Sequence, residues 1–306
     1  MILTITLNPC IDKSSTVGLM KPESKLRCTE VVHEAGGGGI NVSKALKRLE
    51  LDSIALFPSG GHNGAMLCSL LRKEGLLYHS FETSRETREN WIVLETETNN
   101  QFRFTFPGLP IEQEVLASLV NQIKTFRPSF VVASGSLPMG VPDDFYGSII
   151  KAANETEAKC IVDTSGPALQ ALEGSKACLL KPNIGELSRL LGLEKISKKE
   201  VPEAARTIIS KNYADMLAVS MGAEGAWLVT ASEQFFVTAP PVEKKSTVGA
   251  GDSMVAGLTY AFEKKLPLQQ ALSWGVACGS AATMNQGTQL FRLEDAREQF
   301  KRIMND

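Results

Sequence analysis

Thr247-Val248-Gly249-Ala250-Gly251-Asp252-Ser253 decides how the rest of this chain is read. Upstream, Phe235 to Val242 is an apolar run broken by proline. Downstream, Met254 to Phe262 is apolar on most faces and predicts a buried helix. Gly249, Ala250 and Gly251 therefore stand at a helix start, where backbone N–H groups lack intrahelical partners and small side chains let an anion come close. A carboxylate beside a phosphate site is a conflict, resolved if Asp252 takes the proton of a hydroxyl that attacks that phosphate. Glycine turns before helices are also common, and Asp is favoured in a first helical turn on structural grounds alone. The surrounding chain has to decide.

Working outward, strand and helix patterns alternate. Residues 1 to 8 alternate apolar residues with Thr and read as a strand that Asn8-Pro9 breaks. Ser53 to Pro58, Phe130 to Ala133, Cys160 to Asp163, Ala177 to Leu180 and Met216 to Ser220 read as further strands. Helical spacing covers Ile40 to Leu46, Gly64 to Lys73 and residues 111–126, 142–153 and 202–211. The chain closes on two helices, 249–263 and 267–284. Such alternation predicts a mainly parallel central sheet with helices on both faces, an α/β fold. Two segments break the pattern. Residues 90–106 read as a hairpin around Thr98-Asn99-Asn100-Gln101, and residues 13–33 alternate near Leu26 to Val32. The hairpin's aromatics need cover. Together the insertions, at about 13–33 and 88–106, predict a small β-sheet lid on a single domain spanning 1–306.

A formal net charge of -2 gives no reason to expect a nucleic acid or an anionic membrane surface as partner. The six cysteines include no C-x-x-C pair, which predicts free thiols in a reducing compartment. His33, His62 and His79 lack metal-ligand spacing. With no signal-peptide pattern and no apolar run near the ~20 residues of a membrane span, the expected location is the cytoplasm.

Two familiar phosphate motifs fail. Gly135 to Gly140 has P-loop spacing but continues Val141-Pro142 where Lys and Ser/Thr are required. The run Gly36-Gly37-Gly38-Gly39 has Asn41 where a dinucleotide fingerprint needs its third glycine. That run instead opens a helix with Asn41 near its start, so backbone and an amide could hold sugar hydroxyls; the alternative is a loop that needs positive φ. Asp12, just past the first strand's break, suits sugar hydroxyls and equally a turn. Lys25, Arg27, Arg88 and Arg103, in or beside the lid, suit a substrate phosphate or simply a solvated face. Asn183 and Glu186, three apart after a strand, fit both Mg²⁺ held largely through water and a helix capping box.

Assembled in this order, the residues resemble the ribokinase-like sugar kinases, the phosphofructokinase B family. Gly36 to Asn41 resembles the family's N-terminal glycine signature, Thr247 to Ser253 its C-terminal signature, and Asn183-x-x-Glu186 its magnesium-associated motif. Lys25 to Thr29, Ser134 to Pro138 and Thr283-x-Asn285-Gln286-Gly287-Thr288 are similar to its minor bacterial 6-phosphofructokinase branch. Gln289 departs from the arginine expected there. The resemblance implies a three-layer α/β/α sandwich and ATP-dependent phosphorylation of fructose 6-phosphate, with tagatose 6-phosphate or fructose 1-phosphate as alternative substrates. It implies Asp252 as catalytic base and Gly249, Ala250 and Gly251 as the anion hole. Asp12, Lys25, Gly37, Gly38, Asn41, Arg88 and Ser136 are implied to contact the sugar phosphate. Lys181, Asn183, Glu186, Ser220, Gly222, Gly225, Thr247 and Asn285 are implied to line the ATP path, with Asn183 and Glu186 near Mg²⁺. Ser246, Val248, Ala282, Asn285 and Gly287 are implied to surround a monovalent cation, potassium. A homodimer joined through the lid is expected, because the lid's edges and aromatics need cover.

Overall fold

The computed structural model describes residues 1–285 and 289–305. In chain order its elements are β1 (Ile2–Ile5), β2 (Cys10–Val17), β3 (Val32–Gly36), α1 (Gly38–Arg48), β4 (Ser53–Ser59), α2 (Gly61–Lys73), β5 (Leu77–Glu82), β6 (Arg88–Glu95), β7 (Gln101–Thr105), α3 (Gln113–Phe126), β8 (Phe130–Ser134), α4 (Phe145–Glu155), β9 (Lys159–Asp163), α5 (Gly166–Gln170), β10 (Ala177–Leu180), α6 (Ile184–Leu190), α7 (Val201–Ser210), β11 (Ala214–Ser220), β12 (Ala226–Thr230), β13 (Gln234–Val237), α8 (Ala250–Glu263), α9 (Leu268–Thr283) and α10 (Leu293–Asn305).

Nine strands form the large sheet in the order β13-β12-β11-β10-β9-β8-β1-β4-β5. From β11 to β5 every pairing is parallel; the β11–β12 and β12–β13 pairings are antiparallel, so β12 alone of the nine runs against the rest. Apolar strands such as Ile2–Ile5 and Phe130–Ser134 are buried throughout, as strands covered on both faces must be. One face packs on α3, α4, α6 and α7 through Leu116, Ile149, Leu187 and Ala205. The other packs on α1, α8 and α9 through Val42, Val255 and Ala277's neighbour Cys278, with Leu67 of α2 beside them. The α/β/α sandwich expected from the alternation is therefore present.

Four strands form the second sheet, in the order β3-β2-β6-β7. The hairpin expected in 90–106 is β6–β7, and it lies on β2 in parallel register, Asp12 opposite Asn90. Cover for the aromatics is incomplete: Phe102, Phe104 and Phe106 remain 37%, 44% and 47% exposed.

Three expectations need correction. The chain closes on three helices, since α10 follows α9. Nearly half of its residues are charged, and it packs through a narrow face centred on Ala296 and Gln299, with Leu293, Ile303 and Phe300 beside them and Phe300 stacked 4.4 Å from Trp274. The first strand is shorter than residues 1–8, since β1 ends at Ile5; Asn8-Pro9 lies in the break before β2, which carries Asp12 inside a strand rather than a turn. The alternation near Leu26 to Val32 is not a strand; β3 begins only at Val32, and pairing with β2 rather than local pattern sets its limits.

Candidate active site

Strand order reverses about β1, which has β4 and β5 on one side and β8 to β11 on the other. The crevice beyond the carboxyl ends of strands at such a switch is where an open α/β sheet binds ligands. Ser134 ends β8, Asp163 ends β9, Lys181 follows β10 and Ser220 ends β11, so chemistry-bearing side chains form a row along one edge.

The glycine run seats α1 on that edge. A Cβ on Gly36 would meet the Asp12 carboxylate and Cys10 Sγ; on Gly38, Ser134; on Gly39, the Ile5 carbonyl and Thr6 hydroxyl, all closer than 3.0 Å. Gly37 also has φ 121°, a region closed to ordinary side chains. The Ile40 N–H donates to Thr6 Oγ1 at 2.8 Å. This approach aims Asn41, in the first turn of α1, across at the start of α8.

At that start Asp252 meets both partners. Asn41 Nδ2 donates to Asp252 Oδ2 at 2.9 Å, and the Ser134 hydroxyl donates to Oδ1 at 3.1 Å. Gly249 caps α8 in the left-handed region at φ 72°, and no side chain caps the helix; the Ala250 N–H makes only a long 3.5 Å contact with the Thr247 carbonyl, so the first turn can still present N–H groups to a ligand. A Cβ on Gly251 would meet nothing nearer than Lys181 Nζ at 3.5 Å and Asp163 Oδ2 at 3.8 Å. Burial pushes the Asp252 carboxyl up to about 6, with the charge of Asp163 adding; Asn41, Ser134 and Lys181 pull the other way. A carboxylate poised near neutrality is suited to accept a proton and then release it.

On one side of Asp252 lies a largely buried ion pair. Lys181 Nζ is 3.2 Å from Asp163 Oδ1. Burial works to lower the Lys181 ammonium, but Asp163, Glu186 and Asp252 outweigh it and hold the group above its ordinary range, charged. Asn183 and Glu186 do form a capping box at the start of α6: the Asn183 N–H donates to Glu186 Oε2 at 2.8 Å, and the Glu186 N–H to Asn183 Oδ1 at 2.9 Å. Burial raises the Glu186 carboxyl. Ser220 bridges to Asn183, its N–H reaching the Pro182 carbonyl at 3.0 Å, so the loops after β10 and β11 lie side by side. Gly222 (φ 60°) and Gly225 (φ 106°) turn the chain into β12, and a Cβ on Gly225 would strike the Val237 carbonyl. Thr247 is exposed one residue before Val248. The Ser246 N–H donates to the Thr283 carbonyl at 3.2 Å and the Val248 N–H to Ser246 Oγ at 3.2 Å, which sets this turn against the end of α9 at Ala282 and Asn285. Gly287 lies outside the described residues, and Gln289 is exposed.

On the other side, Asp12 lies under Gly36. Its Oδ1 accepts from Asn90 Nδ2 at 2.9 Å and from Cys10 Sγ at 3.3 Å. Arg88 is turned inward: Nη2 donates to the Asn8 carbonyl at 3.1 Å, Nη1 to the Phe106 carbonyl at 3.1 Å and to Asn90 Oδ1 at 2.8 Å. The Asn8 amide also donates to Ser136 Oγ at 3.0 Å, which brings Ser136 to the same corner. Lys25 and Arg27 are exposed on the β2–β3 connection, and Arg103 is held by the Gln101 side chain. The structure thus gathers Asp12, Gly37, Gly38, Asn41 and Asp252 with the Lys181–Asp163 pair, while Lys25 is exposed on the β2–β3 connection. Sequence reading missed Ser134, Asp163 and Asn90. A strand ending in Asp was visible at Asp163; nothing local marked the other two.

The chain is similar to known carbohydrate kinases. A family model described as pfkB family carbohydrate kinase matches residues 2–296. ATP-dependent 6-phosphofructokinase isozyme 2 of Escherichia coli is 40% identical, over 97% of this chain and 97% of its own. The 1-phosphofructokinase of Bacillus subtilis is 33% identical, over 95% of this chain and 96% of its own. The crystal structure of phosphofructokinase-2 from Escherichia coli in complex with fructose-6-phosphate matches with a TM-score of 0.92 at 36% identity, covering 99% of each chain.

Proposed function

This chain belongs to the pfkB family of carbohydrate kinases and has its ribokinase-like fold, and we propose that it transfers the γ-phosphoryl group of ATP to the 1-hydroxyl of D-fructose 6-phosphate. The observation that carries this reading is the Asp252 carboxylate, held by Asn41 and Ser134 beside the uncapped start of α8. Asp252 takes the proton of the 1-hydroxyl. The freed oxygen attacks the γ-phosphorus in line, the bond to the β–γ bridging oxygen breaks, and ADP leaves. The N–H groups of Ala250 and Gly251 and the Lys181 ammonium stabilise charge on the transferring oxygens. Asp12, Gly37, Gly38 and Asn41 hold the sugar; Lys25, Arg88 and Ser136 serve its phosphate. Ser220, Gly222, Gly225, Thr247 and Asn285 line the nucleotide.

Mg²⁺ suits Asn183 and Glu186, because Glu186 keeps Oε1 outside the capping box and few protein ligands are needed when phosphates complete the shell. When bound, it neutralises charge on the ATP phosphates. A monovalent cation, potassium, is assigned on the family resemblance to Ser246, Val248, Ala282 and Asn285; Gly287, the fifth residue of that set, lies outside the described residues. The four-stranded sheet acts as a lid on a single kinase domain, excluding water that would otherwise hydrolyse ATP. Its exposed phenylalanines point to a homodimer clasped through this sheet, which sedimentation with and without substrate tests; a monomer in both would remove the clasp. Among the described residues no helix is long and apolar enough to cross a membrane, in keeping with a cytoplasmic enzyme.

The likeness to a 1-phosphofructokinase supports one second reading, fructose 1-phosphate as acceptor. The deciding experiment is kcat/KM on fructose 6-phosphate, tagatose 6-phosphate, fructose 1-phosphate, fructose and ribose at fixed Mg-ATP. Fructose 6-phosphate should lead. Preference for another acceptor would overturn the assigned substrate, and no sugar-dependent ATP turnover would overturn the kinase reading in favour of a sugar-phosphate sensor.

A further inference from the structure

Cys10, Asp12, Arg88 and Asn90 form a square on one face of the small sheet. Cys10 is directly opposite Arg88, and Asp12 directly opposite Asn90, on the parallel strands β2 and β6. Arg88 and Asp12 are its diagonal corners, a cation and an anion within reach of each other. They do not pair with each other. The Asn90 amide lies between them, its carbonyl oxygen accepting from Arg88 Nη1 at 2.8 Å and its nitrogen donating to Asp12 Oδ1 at 2.9 Å and facing Cys10 Sγ at 3.2 Å. Chemistry fixes the amide's orientation. Reversed, its oxygen would face a carboxylate and its nitrogen a guanidinium, two repulsions in place of two charge-assisted bonds.

We infer that Asn90 is a positioning residue: a neutral spacer that keeps Arg88 and Asp12 from pairing and sets the distance between the phosphate-facing and hydroxyl-facing ends of the acceptor site. This rests on the assignment of Asp12 and Arg88 to the sugar phosphate. A side chain of either charge would pair with one corner and repel the other. Alanine would let the two corners close on each other, withdrawing both from the substrate. The other donors of Arg88 go to the neutral Asn8 and Phe106 carbonyls, weaker acceptors than a carboxylate, so Asn90 is what keeps the guanidinium from turning to Asp12.

The test is steady-state kinetics on Asn90→Ala and Asn90→Asp, alone and with Arg88→Ala, varying fructose 6-phosphate and Mg-ATP separately. Asn90→Ala should raise KM for fructose 6-phosphate about tenfold, the loss of a bond to a charged group, with KM for Mg-ATP and Tm nearly unchanged. Asn90→Asp is nearly isosteric and keeps the acceptor for Arg88, so it carries the test if the alanine variant does not fold; it should raise the same KM and spare Mg-ATP. In the Arg88→Ala background Asn90→Ala should add little, because no ion pair can form. An unchanged KM for fructose 6-phosphate, equal rises for both substrates, or effects of Asn90→Ala and Arg88→Ala that multiply would each overturn the spacer role. If wild-type protein does not use fructose 6-phosphate, the assigned function fails first, and the same KM comparison on the sugar phosphate it does use still decides the role of Asn90.

Discussion

The two glycine turns of this molecule look alike in sequence and differ in what surrounds them. In the run 36–39, an added Cβ collides with packed protein at every position. In the run 249–251, Gly249 is crowded only by the Leu290 side chain, at 2.6 Å, and Gly251 has ordinary space around it. The first turn is bare so that α1 can touch the sheet edge. The second leaves room beside Gly251 for the phosphate that we propose binds there. Glycine content alone therefore does not mark a phosphate site; space left beside the glycine does.

The sharpest break of this contrast is at Asp252, which depends on both turns. Asp252→Asn should lower kcat about a thousandfold while leaving KM values close to wild type, as expected for loss of a general base; near-normal kcat would remove Asp252 from that role. Gly251→Ala comes next. It should fold at least as well, since alanine favours a helix by about 0.5–1 kcal/mol, yet lose about a hundredfold in kcat because its methyl displaces the phosphoryl group. Gly38→Ala should do the reverse and cost about 3 kcal/mol of stability by overpacking on Ser134, read as a lowered urea midpoint. Should Gly38→Ala spare stability, or Gly251→Ala destabilise, the two turns have been assigned the wrong way round.

The smallest effect is in pH. With its carboxyl near 6, Asp252 should make kcat/KM fall tenfold per pH unit below that value. The folded value lies above the ordinary 3.8, so the stability this group contributes is complete below about 4 and lost as pH rises through about 6. Asp252→Asn should therefore gain stability relative to wild type between pH 4 and pH 7, on the order of 2 kcal/mol, and none below. A flat difference in Tm across that range would mean that burial does not perturb the carboxyl.

Much of the fold was legible because its parallel strands are short apolar runs between amphipathic helices, a pattern that survives without tertiary context. Cys10–Val17 was not legible: Ser, Thr and Lys alternate there without a clear apolar face, and only pairing with β6 on one side and β3 on the other makes it a strand. Helix α10 was hidden by its charge. At the site, Asp252, Asn41 and the glycines stood out because a run of glycines is costly to order and a carboxylate beside an anion-binding helix start is a conflict. Ser134 and Asn90 did not, since a serine ending a strand and an asparagine within one are locally unremarked.

Sequence by itself determined the α/β class and singled out Asp252 as a carboxylate at a glycine-flanked helix start, because periodicity and helix-terminus chemistry are local. Only the tertiary structure decided that residues 41, 134 and 252 meet, that Lys181 is held charged behind them, and that Asn90 parts Arg88 from Asp12. Those facts rest on contacts between strands and helices far apart in the chain, which the packing of the sheet creates and no local pattern encodes.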